Sequence, residues 1–166
     1  MNHRTAIKLM LIVITLSSVV AYSAEHSSKH SSKKEDMRIS RDLCEKLADM
    51  QRSRRFDHKE LYQVLNKATT NIHVFNHIGL ARSLSTLAKI LKRSGLNRDA
   101  INTFLRAWIE RASRQIDRFN SQALANSLWA LATLGISPGR EFTDVWIERA
   151  SRQIDRFNSQ ELANSL

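Results

Sequence analysis

The segment Trp108–Leu128 reads WIERASRQIDRFNSQALANSL, and it returns at Trp146–Leu166 as WIERASRQIDRFNSQELANSL. The two copies start 38 residues apart and differ only in that Glu161 replaces Ala123. A fixed period of this size is typical of stacked supersecondary units rather than of a closed globule. No stretch alternates with period two for long enough to indicate a strand. The sequence therefore predicts an all-α protein, an α-solenoid of antiparallel helix pairs with about two and a half repeats.

Each repeat is expected to contain two helices with apolar stripes three and four residues apart. The first stripe comprises Leu105, Ile109, Ala112, Ile116 and Phe119, and the second follows an N-cap at Asn120 and comprises Leu124, Leu128 and Leu131. After Leu128 the first copy continues as WALATLG, whereas the second copy has no counterpart of this run. This difference predicts a truncated last repeat, a chain that is a fragment of a longer array, and self-association through its C-terminal end.

A divergent copy of the repeat precedes these two. Val64 aligns with Trp108, and Ala68 aligns with Ala112, at an offset of 44 residues. The predicted domains are an N-terminal helix at 38–56, a divergent repeat at 57–96, a full repeat at 97–135 and a truncated repeat at 136–166. Ser40 and Asp57 are the expected N-caps of the first two, and the first helix of the truncated repeat is expected to start at Ser137 and Pro138.

The first 23 residues have the three-part pattern of a secretory signal peptide. Arg4 and Lys8 precede an apolar run at Leu9–Val20, and small residues follow it. We expect cleavage between Ser23 and Ala24 and export to the periplasm or outside the cell, with membrane contact only during export. A signal that is retained as an anchor is the alternative, although the run is shorter than the ~20 residues of a membrane span. Residues 24–37 are polar, and they predict a disordered linker.

The chain carries a formal net charge of +10, and the excess is uneven. Residues 24–100 contain 16 basic and 9 acidic residues, a net charge of +7, whereas residues 101–166 contain 8 and 7, a net charge of +1. The single cysteine, Cys44, has no partner for an intramolecular disulfide, and its apolar neighbours predict a buried, unreactive thiol. The basic N-terminal half favours a polyanionic partner more than the clear repeats do.

The run Phe119–Gly135, FNSQALANSLWALATLG, resembles the octatricopeptide repeat family, whose units are helix pairs of the same period with a consensus close to F-N-x-Q-x-L-A-N-x-L-W-A-L-A-x-L-G. The resemblance covers about Tyr62–Leu166, with His77 and Gly79 departing from the pattern. Family members in organelles bind RNA and stabilise or process transcripts, and related repeats occur in intracellular bacteria. The resemblance implies an α-solenoid, with RNA as the ligand.

The candidate nucleic-acid-binding residues lie at repeat spacing. Arginines at i, i+3 and i+7 of the first helix form one set, and asparagines within the second helix form another: Arg111, Arg114, Arg118, Arg149, Arg152, Arg156, Asn126 and Asn164. Stacking would align the guanidinium groups into a ladder that follows phosphates. The alternative for the arginines is a solvated face, since Glu110 and Glu148 precede Arg114 and Arg152 by four residues.

The asparagines have two interpretations as well. A nucleobase edge is one ligand for Asn126 and Asn164, and a neighbouring backbone group is the other. The tryptophans at 108, 129 and 146 flank the apolar stripes, so we expect them to pack between helices rather than to stack on bases.

The sequence offers no catalytic constellation. It lacks a phosphate-binding glycine loop and a C-x-x-C pair, and His73 and His77 have no acidic residue at ligand spacing. We therefore expect a protein that is not an enzyme and that has no cofactor, no metal site and no small-molecule substrate. The function predicted from sequence is an exported repeat protein that binds RNA; the alternatives are a protein-interaction scaffold and a gene fragment without independent function.

Overall fold

The structure is a computed structural model that describes residues 29, 31–53, 57–94 and 101–165. The chain divides into two compact units, Met1–Asp36 and Met37–Leu166. The predicted signal peptide and the cleavage position between Ser23 and Ala24 lie outside the described residues. The packing described below belongs to the second unit.

Seven α-helices make up the described chain. Helix α1 covers residues 31–52, and the others are α2 (His58–Thr70), α3 (His77–Ser94), α4 (Asn102–Ser113), α5 (Ser121–Leu134), α6 (Arg140–Ser151) and α7 (Ser159–Ser165). No strand occurs in the described ranges, so the predicted all-α class is confirmed.

The helices alternate between two sets. Helices α2, α4 and α6 pack in sequence against one another, and α3, α5 and α7 do the same. One continuous core lies between the sets, and its largest fully buried side chains are Trp108, Phe75, Phe104, Phe119 and Phe142. The three- and four-residue spacing of apolar residues therefore identified most of the buried face of the α4–α5 pair, although Ile109 and Leu128 are only half-buried. In the last pair, Ile154 and Leu162 are exposed.

Side-chain caps fix where the second helix of each pair begins. The Asn120 carboxamide accepts from the backbone N–H of Ala123 at 2.8 Å, and Asn76 does the same for Gly79 at 2.9 Å. In the last pair the capping box is complete, because Asn158 Oδ1 accepts from the Glu161 N–H at 2.8 Å while Glu161 Oε2 accepts from the Asn158 N–H at 3.0 Å. Gly135 ends α5 in the left-handed conformation, with φ of 63°.

Each first helix ends in a short 3-10 turn that the spacing alone did not predict. The turns are Ile72–Val74, Ile116–Arg118 and Ile154–Arg156, and each is followed by a phenylalanine in extended conformation. The phenylalanine N–H donates to the carbonyl of the first turn residue at 3.0–3.1 Å. Because the turn recurs at the same place, the carbonyls of Phe75, Phe119 and Phe157 occupy equivalent positions in the three pairs.

Three predicted boundaries differ from the structure. Residues 31–37, predicted as disordered linker, are helical, and α1 ends at residue 52 rather than 56. Lysine and glutamate are good helix formers, so the packed helix continues outward at little cost. Ser40 is therefore a buried residue within α1 and not its N-cap. Helix α6 starts at Arg140 rather than at Pro138, because Gly139 has a φ of 89° and its carbonyl accepts from Thr143 N and Oγ1.

Helix α1 approaches α3 closely at Gly79. A Cβ at this position would lie 2.7 Å from Ser40 Oγ, and the Cys44 thiol donates to the Gly79 carbonyl at 3.5 Å. The glycine departs from the repeat pattern because α1 occupies the space that a side chain would need. The equivalent positions, Ala123 and Glu161, carry side chains.

Candidate nucleic-acid interface

The arginines predicted as a phosphate ladder have three different environments. Arg111 Nε donates to the Phe75 carbonyl at 3.3 Å, and Arg149 donates through Nε and Nη2 to the Phe119 carbonyl, also at 3.3 Å. Burial lowers the pKa of Arg111, and the charges of Arg114 and Arg118 lower it further. Arg111 and Arg149 therefore join consecutive helix pairs, and their guanidinium groups are directed toward protein carbonyls.

A glutamine supplies the second donor of each joint, and the sequence analysis did not identify this residue. Gln115 Nε2 donates to the Phe75 carbonyl at 2.9 Å, and Gln153 Nε2 donates to the Phe119 carbonyl at 2.8 Å. Both glutamines are buried. A glutamine occupies this position in both copies of the repeat, which was a signal in the sequence. The sequence analysis instead assigned the binding role to the arginines around it.

The tryptophans contribute the third donor. Trp108 Nε1 bonds to the Leu80 carbonyl at 2.9 Å, and Trp146 Nε1 bonds to the Leu124 carbonyl at 3.2 Å. Trp108 is fully buried and its ring lies 6.0 Å from that of Phe142. The prediction that these residues pack between helices is confirmed.

Arg114 and Arg152 follow the alternative interpretation of a solvated face. They form ion pairs of 2.5 Å with Glu110 and Glu148 on their own helices, and all four side chains are exposed. Exposed pairs of this kind contribute little to stability, about 0.3–0.5 kcal/mol. Their charge is already neutralised on the surface, which reduces their value as phosphate ligands.

Only the last arginine of each set is exposed and without a described acidic partner. Arg118 and Arg156 lie in the 3-10 turns, each next to an aspartate in sequence. The spacing of six arginines therefore yields two exposed cations that are not engaged with the described protein atoms.

The asparagines lie on the other set of helices. Asn126 is half-buried on α5, and Asn164 is half-buried on α7, where its Oδ1 accepts from Gln160 at 3.2 Å. Asn126 lines a groove of about 150 Å³ between α3 and α5. The other polar lining side chains are His77, Arg82, Ser85, Asn120 and Gln122.

Arg82 lines this groove and also belongs to a row of positively charged side chains on α3. Arg82, Lys89 and Lys92 are exposed and lie at i, i+7 and i+10 of α3, which places them on one side of the helix. We call these three residues the basic stripe. Helix α3 contains no acidic residue, and α5 contains no charged residue. Three of the sixteen basic residues of the N-terminal half thus lie on one side of α3, and one of them, Arg82, lines the groove.

Metal ligation and thiol chemistry find little support in the described part of the chain. No group of three His, Cys, Asp or Glu residues there is arranged to hold a metal ion. Cys44 is buried, as predicted, and burial raises the pKa of its thiol to about 11. Within the same ranges no helix combines the length and the apolarity that crossing a membrane requires.

Comparisons of the chain with protein-family models, with curated proteins and with solved structures found no match.

Proposed function

We propose that this is a non-enzymatic helical-repeat protein that binds single-stranded RNA on the face formed by α3 and α5. The observation that carries the proposal is the basic stripe of Arg82, Lys89 and Lys92 beside the groove that contains Asn126. Cations at this spacing can follow phosphates, and the amide and hydroxyl groups offer donors and acceptors to base edges. The resemblance of Phe119–Leu134 to the octatricopeptide repeat supports the same ligand.

The proposed architecture is an α-solenoid of about two and a half repeats. Its support is the alternation of contacts, since first helices pack on first helices and second helices on second helices. A solenoid presents equivalent positions in a row along one side. Arg82, Asn126 and Asn164 are equivalent by register, and so are Ile78, Gln122 and Gln160. An extended strand lying across α3, α5 and α7 would meet these positions in order.

The experiment measures RNA affinity against salt for two matched triple variants. Arg82→Ala, Lys89→Ala and Lys92→Ala remove the basic stripe, and Arg106→Ala, Arg118→Ala and Arg156→Ala remove three exposed charges from the first-helix side. Each phosphate contact contributes about 0.7 to the slope of log K against log salt for single strands. The stripe variant should flatten the slope by about 2, and the matched control should leave it near the wild-type value. A flatter slope in the control alone would assign RNA to the first helices, and an absence of RNA binding would reject the proposal.

A protein partner is the second candidate, and a specific observation favours it. Helix α5 carries no charge, and four of the six ladder arginines are engaged with carbonyls or glutamates. A near-neutral polar face of this kind suits a peptide ligand better than a polyanion. Such a partner would bind with a weak dependence on salt, whereas RNA would show the steep dependence described above.

We also propose that the protein is exported. The support is the sequence pattern of Met1–Ser23, with small residues before the expected cleavage position. N-terminal sequencing of material from outside the cytoplasm should give Ala24 as the first residue. An intact Met1 in that material would contradict cleavage and favour the retained anchor.

A further inference from the structure

The groove between α3 and α5 has an apolar floor. Its apolar lining side chains are Ile78, Ala81 and Ala123. The two alanines are buried, and their small side chains leave space between the helices, whereas Ile78 is 55% exposed. Helix α3 packs against α5 on one side and bonds to α1 through Cys44 on the other, so the groove lies within the stack of helices and not at its end.

Ile78 departs from the repeat in a way that core packing does not explain. The equivalent residues of the two later pairs are Gln122 and Gln160, which are exposed and polar. An isolated exposed isoleucine is ordinary on a protein surface. Here, however, it lines a groove whose floor is also apolar, and it lies one helical turn before the cation Arg82. The departure therefore extends the apolar surface of the groove next to a positive charge.

Asn126 places an unengaged amide beside this apolar surface. The side chain is half-buried, and no described residue forms a hydrogen bond with its carboxamide. The neighbouring amides differ, because Asn120 Oδ1 accepts from the Ala123 N–H and Asn164 Oδ1 accepts from Gln160. A carboxamide offers two donor hydrogens and an acceptor oxygen. Asn126 can therefore bind a ligand edge that carries a donor next to an acceptor.

The size and charge of the groove limit the ligand further. Its volume of about 150 Å³ is below the range of about 300–1,000 Å³ for small-molecule pockets, so it accommodates one ring system and not a whole nucleotide. Because α3 has no acidic residue and α5 has no charged residue, a phosphate beside Arg82 meets no repulsion from either helix. A nucleobase has flat apolar faces and a polar edge, and it therefore suits both the floor and the amide. A purine covers more of the floor than a pyrimidine, because it has two fused rings.

We propose that the groove binds one unpaired purine base of an RNA strand. The base faces Ile78, its edge bonds to Asn126, and the adjoining phosphate lies against Arg82. The purine preference rests on the proposed RNA binding, to which it adds a selection among bases. Ile78 and Asn126 are thus the residues that determine specificity, whereas Lys89 and Lys92 contribute affinity that does not depend on sequence.

The test compares labelled oligouridines of about ten nucleotides, within the usual site size of single-strand binders, by fluorescence anisotropy. One strand is uniform, and three carry a single central adenine, guanine or cytosine. The full chain should bind the two purine-containing strands at least about threefold more tightly than the other two. Ile78→Gln, which installs the residue of the later pairs, should remove this preference. Ile147→Gln alters a side chain on α6 that is 52% exposed, and it should leave the preference unchanged.

A second variant tests the edge of the base. Asn126→Asp keeps the shape of the side chain and replaces its two donor hydrogens by a further acceptor. Guanine can donate through both N1 and N2 to a carboxylate, whereas adenine needs a donor for its ring nitrogen. The variant should therefore shift the ratio of guanine-strand to adenine-strand affinity by at least about fivefold toward guanine, relative to the wild type. Asn66→Asp makes the same change at an exposed asparagine on α2 and should leave this ratio unaltered.

The uniform oligouridine separates the purine site from the proposed function. Equal binding of all four strands, at a salt slope that the basic-stripe variant flattens, would overturn the purine site and leave the proposed RNA binding intact. An absence of binding to every strand would reject both. A purine preference that survives Ile78→Gln, or an affinity ratio that Asn126→Asp does not shift, would place the base elsewhere and overturn this site. Circular dichroism should show equal helix content in all variants.

Discussion

Gln115 donates to the backbone carbonyl of Phe75, which lies 40 residues earlier, at 2.9 Å, and thereby connects the end of the first helix of one pair to the end of the first helix of the preceding pair. Arg111 Nε reaches the same oxygen at 3.3 Å. The carbonyl thus has two donors, one from α4 and one from the residue that precedes the following 3-10 turn, and the Gln153 and Arg149 pair repeats the arrangement at Phe119. Stability should therefore depend on these donors more than on the exposed ion pairs.

Gln115→Ala should lower the free energy of unfolding by about 1–3 kcal/mol, because a buried hydrogen bond is lost. The glutamine Oε1 has no partner, so the loss comes from the Nε2 donor. Thermal denaturation should show a fall of about 2–4 °C for each kcal/mol in a chain of this size. Gln122→Ala, which alters an exposed glutamine, is the control and should change the melting temperature by less.

The two donors to Phe75 should be coupled. Arg111→Met keeps most of the aliphatic stem and removes the guanidinium, and the carbonyl then still accepts from Gln115. Removing both donors leaves a buried acceptor unpaired. The double variant should therefore lose more stability than the sum of the single variants, by at least about 0.5 kcal/mol. Additive losses in a double-mutant cycle would mean that the two bonds act independently.

Gly79→Ala should gain less than an alanine ordinarily gains over glycine in a helix, which is about 1 kcal/mol. The new Cβ would lie 2.7 Å from Ser40 Oγ, so the Ser40 hydroxyl has to rotate away or one of the two helices has to shift. Ser40→Ala removes the obstructing oxygen. Chemical denaturation should show that Gly79→Ala is more favourable in the Ser40→Ala background than in the wild type, by about 1 kcal/mol. Equal effects in both backgrounds would exclude the contact as the reason for glycine.

Cys44 should make stability depend on pH in the alkaline range. Burial raises the pKa of its thiol from 9.0 to about 11, so the folded chain favours the protonated form. The stabilisation is fully present below pH 9 and is lost as the pH rises toward 11, since the unfolded chain ionises first. Cys44→Ala should show a shallower decline across this window. The wild-type thiol should also react with a disulfide reagent at pH 8 only after unfolding.

Extending the last pair should stabilise the chain. The described part of α7 has seven residues, and the side chains of Ile154 and Leu162 are exposed. Adding WALATLG after Leu166, with a polar cap, supplies the side chains that follow Leu128 in the preceding pair. The melting temperature should rise by several degrees, and amide exchange near Leu162 should slow. An unchanged melting temperature would show that the register of the last repeat is wrong.

The sequence predicted the fold better than the site, for a physical reason. The spacing of apolar residues predicts which of them are buried, so Leu105, Phe119 and Leu124 were assigned to the core by spacing alone, and they are buried. The partner of a polar side chain depends on the neighbouring helix pair. Arg111 and Arg114 are three residues apart on one helix, yet one bonds to a carbonyl of the preceding pair and the other to Glu110. The four-residue spacing from Glu110 predicts the ion pair of Arg114, whereas no local pattern predicts the carbonyl partner of Arg111.

The first residue of a helix was also difficult to predict from the sequence. Asn120 and Asn158 were recognised because the side chain itself makes the cap. At Ser137 and Pro138 the residues are suitable but the backbone conformation of Gly139 delays the helix. At Ser40 the chain is already helical, and the hydroxyl instead fills the space against Gly79. A capping residue is therefore informative only when nothing upstream is helical.

The acceptors of the inter-pair bonds are main-chain oxygens of Phe75, Leu80, Phe119 and Leu124. Every residue type carries such an oxygen, so a mutation at an acceptor position cannot remove it, and only the donor side is under sequence constraint. A newly duplicated unit can consequently pack on the unit before it even when the sequence of that preceding unit has diverged. The exposed side chains of each copy are thereby free to diverge while the copies continue to stack.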